Sequence, residues 1–235
     1  MNDFNVKFGI IGIDHRHVYT QAQFLIELGA ELVGWYTEGS PTTLGGFTKR
    51  FPKAKRFTDP RSLLEDPDIK VILTSAVPND RAKISISAMK HGKDVMSDKP
   101  GCLSFGDLEE LRQTVQQTGR IWSVDFSERF EVPAVTLASQ LVSDGAIGDV
   151  IHTLGLGPHR LNPESRPNWF FDPNQNGGIL ADIGSHQIDQ FLFFTKSESA
   201  EITLASIRNM GHQEFTNFSD FGEIALRSET ANGYI

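Results

Sequence analysis

Short apolar runs alternate with amphipathic stretches through the first half of the chain. The apolar runs have the length and composition of buried strands, and strands are predicted at 6–11, 31–36, 69–73, 94–96 and 121–124. Helical spacing of apolar residues predicts helices at 18–28, around 62–64, at 81–90 and at 105–117. Strands that alternate with helices indicate an α/β fold, with a doubly wound parallel sheet covered on both faces.

The pattern changes after residue 126. Helices are predicted at 132–142 and 178–194, strands at 150–156, near 201–208 and near 221–227, and a loop rich in Pro, Asn and Arg at 158–176. We therefore expect two domains, one at 1–126 and an α+β domain at 127–235. The last residues read as the start of another strand, so we expect a truncated chain whose second sheet is incomplete.

Composition narrows the class of protein. Apolar residues make up 39% of the chain and include 17 Phe, which is enough for a sizeable core. The net charge of −8 argues against binding to nucleic acid, which needs clustered Lys and Arg. A single cysteine, Cys102, excludes an intrachain disulfide. We find neither a secretory signal nor an apolar run that could span a membrane, and we expect a cytoplasmic protein.

The loop after the first predicted strand resembles a degenerate dinucleotide-binding fingerprint. Gly12 stands where the first fingerprint glycine belongs, whereas Asp14 and His17 take the places of the second and third. An ordinary strand-to-helix turn explains the loop equally well. His15, Arg16 and His17 could reach toward phosphate or substrate. We expect no metal, because no third ligand is evident near the two histidines.

Three further segments follow predicted strands, at the edge of the sheet where ligands bind in open α/β folds. Thr37 and Glu38 end the second strand, and Glu38 slightly favours NAD over NADP. The segment Pro78-Asn79-Asp80-Arg81 and the segment Asp98-Lys99-Pro100 follow the next two strands. Plain turn chemistry explains the first segment, and a solvated surface turn explains the second, about as well as ligand binding does.

A carboxylate and an imidazole lie four residues apart in the predicted helix 178–194. Residues at this spacing share a helix face, so Asp182 and His186 are expected to project together, with Asp189 one turn further on. A hydrogen-bonded structural pair is the alternative to a reactive one.

The motifs together resemble those of the glucose–fructose oxidoreductase, inositol dehydrogenase and rhizopine catabolism (Gfo/Idh/MocA) family. Asp98-Lys99-Pro100 is similar to its Glu-Lys-Pro motif, and Gly177-Gly178 with Asp182, Gly184, His186 and Asp189 is similar to its second signature. The resemblance implies an N-terminal Rossmann domain and a C-terminal domain built on an open, mostly antiparallel sheet. That sheet commonly forms the subunit interface, which implies a homodimer or homotetramer.

The resemblance also implies roles for residues. Lys99, Asp182 and His186 would be catalytic. The residues expected to bind an NAD or NADP cofactor are Gly12, Asp14, His15, His17, Thr37, Glu38, Pro78, Asn79, Arg81, Asp98, Lys99 and Pro100. Asp182 and His186 would also contact the substrate.

Four further residues are candidates for binding a polyhydroxylated or carboxylated ligand: Arg129, His159, Arg160 and Trp169. Arginine favours a carboxylate and tryptophan the face of a sugar. The alternative is that Arg160 and Arg166 only pair with surface acids. The expected function is an NAD(P)-dependent oxidoreductase acting on a sugar, cyclitol or related polyol, and the rival is a non-catalytic nucleotide- or sugar-responsive binding protein.

Overall fold

The computed structural model describes residues 6–235. The chain divides into two compact units, of which the first ends at Asp125 and the second begins at Phe126. In the part that the model describes, no helix combines the length and apolarity needed to cross a bilayer.

The first unit is a six-stranded parallel sheet with the order β3-β2-β1-β4-β5-β6. The strands are β1 (Lys7–Ile11), β2 (Glu31–Tyr36), β3 (Lys55–Arg56), β4 (Ile69–Thr74), β5 (Asp94–Asp98) and β6 (Trp122–Asp125). The chain winds outward from β1 to β3 and then returns to start again at β4. This reversal leaves a crevice at the carboxyl ends of β1 and β4, as in Rossmann domains.

Helices cover both faces of this sheet. They are α1 (Val18–Glu27), α2 (Leu44–Arg50), α3 (Arg61–Leu64), α4 (Pro78–Lys90) and α5 (Phe105–Thr118). Successive residues of β1 point to opposite faces, so Ile10 packs into a core with Trp35 and Phe47, and Ile11 packs into a second core with Leu63 and Ile72. The predicted doubly wound α/β fold is confirmed.

Local sequence explains where two of these helices begin. Helix α4 starts three residues earlier than predicted, at Pro78, because proline fits the first helical turn, where its missing N–H costs nothing. Helix α5 is capped by Ser104, whose hydroxyl accepts the Asp107 N–H at 3.0 Å.

The second unit is built on a four-stranded sheet with the order β7-β10-β9-β8. Its elements are α6 (Ser127–Phe130), α7 (Pro133–Ser143), β7 (His152–Leu154), α8 (Pro173–Asn176), α9 (Ser185–Thr195), β8 (Glu201–Arg208), β9 (Phe221–Arg227) and β10 (Asn232–Tyr234). Only the β10–β7 pair is parallel, so the predicted mostly antiparallel sheet is confirmed. Its core joins Phe191 of α9 to Ile224 and Leu226 of β9.

The helix predicted at 178–194 differs from expectation. A π-helical turn, Leu180–Gly184, precedes the regular helix α9. Such wide turns insert a residue into a helix and are frequent at functional sites. Asp182 therefore lies on the wide turn, whereas His186 lies in the first turn of α9.

Candidate active site

The turn after β1 requires the glycine that stands there. Gly12 has a φ of +83°, and its N–H donates to the Tyr36 carbonyl at 2.8 Å. A Cβ at Gly12 would lie 2.4 Å from the Cβ of Ala76, which is closer than real side chains approach. The close contact lets β1 and β4 continue into a narrow crevice, which is what the first fingerprint glycine does in dinucleotide-binding domains.

A cavity of about 360 Å³ opens at this crevice, at the carboxyl ends of β1, β2 and β4. We call it the switch-point cavity. Gly12, Asp14, Glu38, Asp80 and Lys83 are among the residues that line it. Its volume lies within the range of pockets that bind small molecules. The other predicted cofactor residues nearby differ in exposure: Thr37 and Pro78 are buried, and Asn79 is exposed.

A second group of polar residues surrounds Asp98 at the end of β5. The fully buried Asp98 carboxylate accepts hydrogen bonds from His15 Nδ1 at 2.8 Å, His17 Nδ1 at 2.9 Å and Arg81 Nη2 at 3.1 Å. Gln21 Nε2 donates to the same carboxylate at 3.3 Å. We call these five residues the Asp98 cluster. The cluster ties the loop after β1 to helix α4 and to the motif Asp98-Lys99-Pro100.

Burial and the neighbouring ionisable groups determine the protonation states of Asp98 and His15. Burial opposes ionisation of Asp98, but Arg81 and the two imidazoles hold the pKa of its carboxyl well below the usual value. Burial lowers the pKa of His15 to about 4 despite the adjacent Asp98. His15 is therefore neutral near pH 7, and its Nδ1 carries the proton that it donates to the carboxylate.

The sequence argument that no third ligand lies near His15 and His17 is wrong. Asp98, far away in the sequence, brings a carboxylate within ligand distance of both rings. However, both oxygens of Asp98 already accept hydrogen bonds from the imidazoles, and the Arg81 guanidinium contacts the same carboxylate. A cation would have to displace these protons next to a buried positive charge, so we assign no metal to the cluster.

Lys99 follows Asp98 directly and is buried. Its N–H donates to the Asp98 carboxylate at 2.9 Å, and its carbonyl accepts a hydrogen bond from Arg81. The Lys99–Pro100 peptide bond is cis. The surface-turn explanation of this motif is therefore wrong, since Asp98, Lys99 and Pro100 are all buried.

In the second unit, Asp182 and His186 lie on consecutive turns of one helical segment. His186 is 2% exposed, and its ring lies 6.2 Å from that of Phe126, edge to face. Asp182 lines a cavity of about 70 Å³ together with His159, Arg160 and other residues. The structure thus brings together three of the residues predicted to bind the substrate.

The other predicted substrate residues have different surroundings. The Arg129 guanidinium binds both carboxylate oxygens of Asp189, at 2.5 and 2.9 Å, and so holds α6 against α9. This ion pair accounts for Arg129 without a ligand.

Trp169 packs against Phe170, with ring centroids 6.2 Å apart. The Arg166 guanidinium stacks over the Phe170 ring, and its Nε donates to the Leu161 carbonyl at 2.9 Å.

The sequence reasoning missed several residues of the first unit. Gln21 bridges Asp98 and Asp125, to which its Nε2 donates at 2.8 Å, and it accepts the Ser75 hydroxyl at 2.6 Å. A glutamine on the buried face of α1 was the available signal. Lys83 was also missed, although it lies only one turn into α4 beside the cavity.

Two family models together match most of the chain. Residues 6–126 match the model described as the oxidoreductase family, NAD-binding Rossmann fold. Residues 135–234 match the GFO/IDH/MocA C-terminal domain.

Curated relatives are similar over about two thirds of the chain. Levoglucosan dehydrogenase of Pseudarthrobacter phenanthrenivorans is 31% identical over 167 residues, which cover 69% of this chain and 42% of that protein. The NAD⁺-dependent scyllo-inositol 2-dehydrogenase of Bacillus subtilis is 30% identical over 159 residues, which cover 68% of this chain and 43% of that protein. The matched segments thus span less than half the length of either relative.

Solved structures match nearly the whole chain. A protein from Erwinia carotovora atroseptica is 36% identical with a TM-score of 0.92, and the match covers 98% of this chain and 69% of that one. A myo-inositol 2-dehydrogenase from Lactobacillus plantarum shares the fold, with a TM-score of 0.82 at 20% identity over 98% of this chain and 68% of that one. The family models, the curated relatives and the glycine-dependent crevice after β1 agree, and the chain belongs to the Gfo/Idh/MocA family of oxidoreductases.

Proposed function

We propose that the protein is an NAD(P)-dependent oxidoreductase that transfers hydride between a nicotinamide cofactor and a secondary alcohol or carbonyl of a sugar, cyclitol or related polyol. The observation that carries this proposal is the switch-point cavity, which lies in a domain that matches the family's NAD-binding model. The names of the curated relatives, which include dehydrogenases of levoglucosan and of inositols, support the substrate class.

The residues around the switch-point cavity fit a dinucleotide. The Gly12 turn lets backbone approach the pyrophosphate, and Glu38 at the end of β2 offers acceptors for the ribose hydroxyls. We favour NAD over NADP, because the carboxylates of Glu38 and Asp80 line the cavity with Lys83 as their cationic neighbour in the lining. A 2′-phosphate would be repelled there. When bound, the nicotinamide ring supplies the hydride acceptor.

We assign the chemical roles by the family's two motifs. Oxidation of an alcohol needs a base for the hydroxyl proton and a positive charge for the developing alkoxide. The His186 imidazole accepts the proton, since imidazole does so near neutral pH. The Lys99 ammonium stabilises the alkoxide. Asp182 orients the substrate or the histidine.

Polar residues around the small cavity in the second unit support the proposed substrate class. His159, Arg160 and Asp182 offer the cavity both donors and acceptors of hydrogen bonds, which suits the hydroxyl groups of a polyol. Asp182 and His186 are proposed substrate contacts. Trp169 stays a prediction, and we do not use Arg129 as a substrate ligand because Asp189 occupies its guanidinium.

The direct test is reduction of NAD⁺ with a panel of inositols, aldoses and anhydrosugars, followed by NADH absorbance. We expect turnover on at least one compound and a loss of about 10²-fold or more in Lys99→Ala and in His186→Ala, the usual size of an acid–base contribution. Lys90→Ala is the matched control, because Lys90 lies exposed near the end of α4. Full turnover in both active-site variants would refute the assigned mechanism.

A non-catalytic binding protein is the second candidate. It is favoured by Asp14 and His17, which replace fingerprint glycines and alter the surroundings of the pyrophosphate. Saturable NADH binding without turnover across the whole panel would select this candidate over the enzyme.

We also propose that the protein assembles as a homodimer or homotetramer through the second sheet. Strand β8 exposes Ile202, Leu204 and Ile207 at 56%, 49% and 58%, and an exposed apolar strand of this kind marks an interaction surface. Light scattering should show an assembly of at least two chains that Leu204→Glu dissociates. A monomeric wild-type protein would contradict this part of the proposal.

A further inference from the structure

Asp14 occupies the position of the second fingerprint glycine and lines the switch-point cavity. In dinucleotide-binding domains this position is glycine so that backbone can approach the pyrophosphate, which lies at the start of the following helix. A side chain here must share its space with the most highly charged part of the cofactor. Asp14 does not avoid this conflict by pointing away from the cavity.

The carboxyl group of Asp14 lies beside backbone groups of the cavity wall. Asp14 is half-buried and lines the cavity together with Gly12 and Ala76, and the backbone N–H groups of Asp14 and Val77 favour its ionised form. Backbone N–H groups of this kind also cradle phosphate. The carboxyl group and a pyrophosphate would therefore share the same backbone donors.

Charged groups around Asp14 do little to neutralise it. The titratable or charged residues nearby are His15 and Arg16 on its own loop, Tyr36 and Glu38 at the end of β2, and Asp80, Arg81 and Lys83 on α4. Asp80 repels the charge of Asp14, and the attraction of Arg81 is shared with the Asp98 carboxylate and with three backbone carbonyls. Burial, with a smaller contribution from Asp80, raises the pKa of Asp14 to about 6.

An ionised Asp14 and a pyrophosphate would place like charges in one crevice. A neutral carboxylic acid, in contrast, can donate its O–H to a phosphate oxygen. We propose that Asp14 binds the cofactor's pyrophosphate as a neutral carboxylic acid, so that each dinucleotide bound takes up one proton from solvent. This inference rests on the proposed function, since it needs a dinucleotide in the switch-point cavity.

Binding of the dinucleotide and binding of a proton to Asp14 are linked, and this linkage sets the direction of the pH dependence. The approaching pyrophosphate raises the proton affinity of Asp14 further, so the bound form holds a proton that the free protein has lost above about pH 6. Above that value the dissociation constant should rise by about tenfold per pH unit, until the carboxyl of the complex ionises as well.

Calorimetric titration of the full chain with NADH, and separately with NADPH, tests the inference. Each titration is run at about pH 7 and about pH 8 in two buffers of different ionisation enthalpy, which gives the protons taken up per ligand bound. We expect uptake close to one proton at the higher pH. Asp14→Asn should bind with little dependence on pH and with no such uptake. Asp80→Asn, the matched control from the same cavity, should keep the uptake.

Binding by the wild-type protein without proton uptake, and with an unchanged dissociation constant, would overturn this inference and leave the proposed function standing. Persistence of the uptake in Asp14→Asn would also overturn it, because another group would then take the proton. Failure of the wild-type protein to bind either dinucleotide at any pH would overturn the proposed function together with the inference. The wild-type titrations decide the matter even where Asp14→Asn does not fold.

Discussion

Asp98 shows how one buried residue can organise a site. Its carboxylate joins two histidines, an arginine and a glutamine that are distant in sequence, and it precedes the proposed catalytic Lys99. A buried carboxylate is tolerated only when it is paired and hydrogen-bonded, and Arg81 supplies the compensating charge. The cluster therefore holds the loop after β1 and the start of the Lys99 motif in one fixed arrangement.

We predict that Asp98→Asn destabilises the first unit strongly. The substitution leaves Arg81, which is 1% exposed, as a buried positive charge that has lost its carboxylate, and breaking such a pair costs about 3–5 kcal/mol. Urea denaturation followed by tryptophan fluorescence measures the loss. Asp68→Asn is the control, because the Lys7–Asp68 pair is exposed and should contribute less than about 1 kcal/mol. Equal effects of the two substitutions would show that Asp98 does not organise the cluster.

At the scale of elements, sequence patterning predicted most strands and helices, because buried strands and amphipathic helices leave a periodic signal. Helix α2 (Leu44–Arg50) escaped prediction because two glycines interrupt its short pattern, and β3 has only 2 residues. The Asp98 cluster could not be predicted from spacing, since its histidines lie 83 and 81 residues from Asp98. The π-helical turn at Asp182 spans only 5 residues, which is too short to show a period of its own in the sequence, so it too was missed.

The turn between β1 and α1 gives a prediction at this scale. Gly12→Ala should cost more than about 2 kcal/mol, because the substitution adds a Cβ 2.4 Å from Ala76 to a residue with a φ of +83°. Gly92→Ala isolates the contribution of the backbone, since Gly92 has a φ of +76° but nothing within 4 Å of its Cβ position. Thermal unfolding of both variants measures the difference. A Gly12→Ala protein as stable as Gly92→Ala would mean that the turn after β1 does not depend on the close approach of Gly12 to Ala76.

At the scale of the whole molecule, the chain comprises a Rossmann unit and a second unit built on a four-stranded sheet. The family membership rests on both units, because each matches its own family model. The net charge of −8 opposes the binding of an anionic cofactor. Binding therefore depends on local hydrogen-bond donors in the loop after β1 and on the protonation of Asp14. The central claim is therefore that the switch-point cavity holds a dinucleotide.

Titration with NADH at about pH 6.5, with ADP-ribose as competitor, tests that claim most directly, since ADP-ribose shares the adenosine and pyrophosphate that the cavity would hold. We predict saturable binding of one NADH per chain, competitive displacement by ADP-ribose, and weaker binding of NADPH because of Glu38 and its neighbouring carboxylates. No saturable binding of NADH or NADPH at about millimolar concentration, where even weak sites fill, would contradict the account.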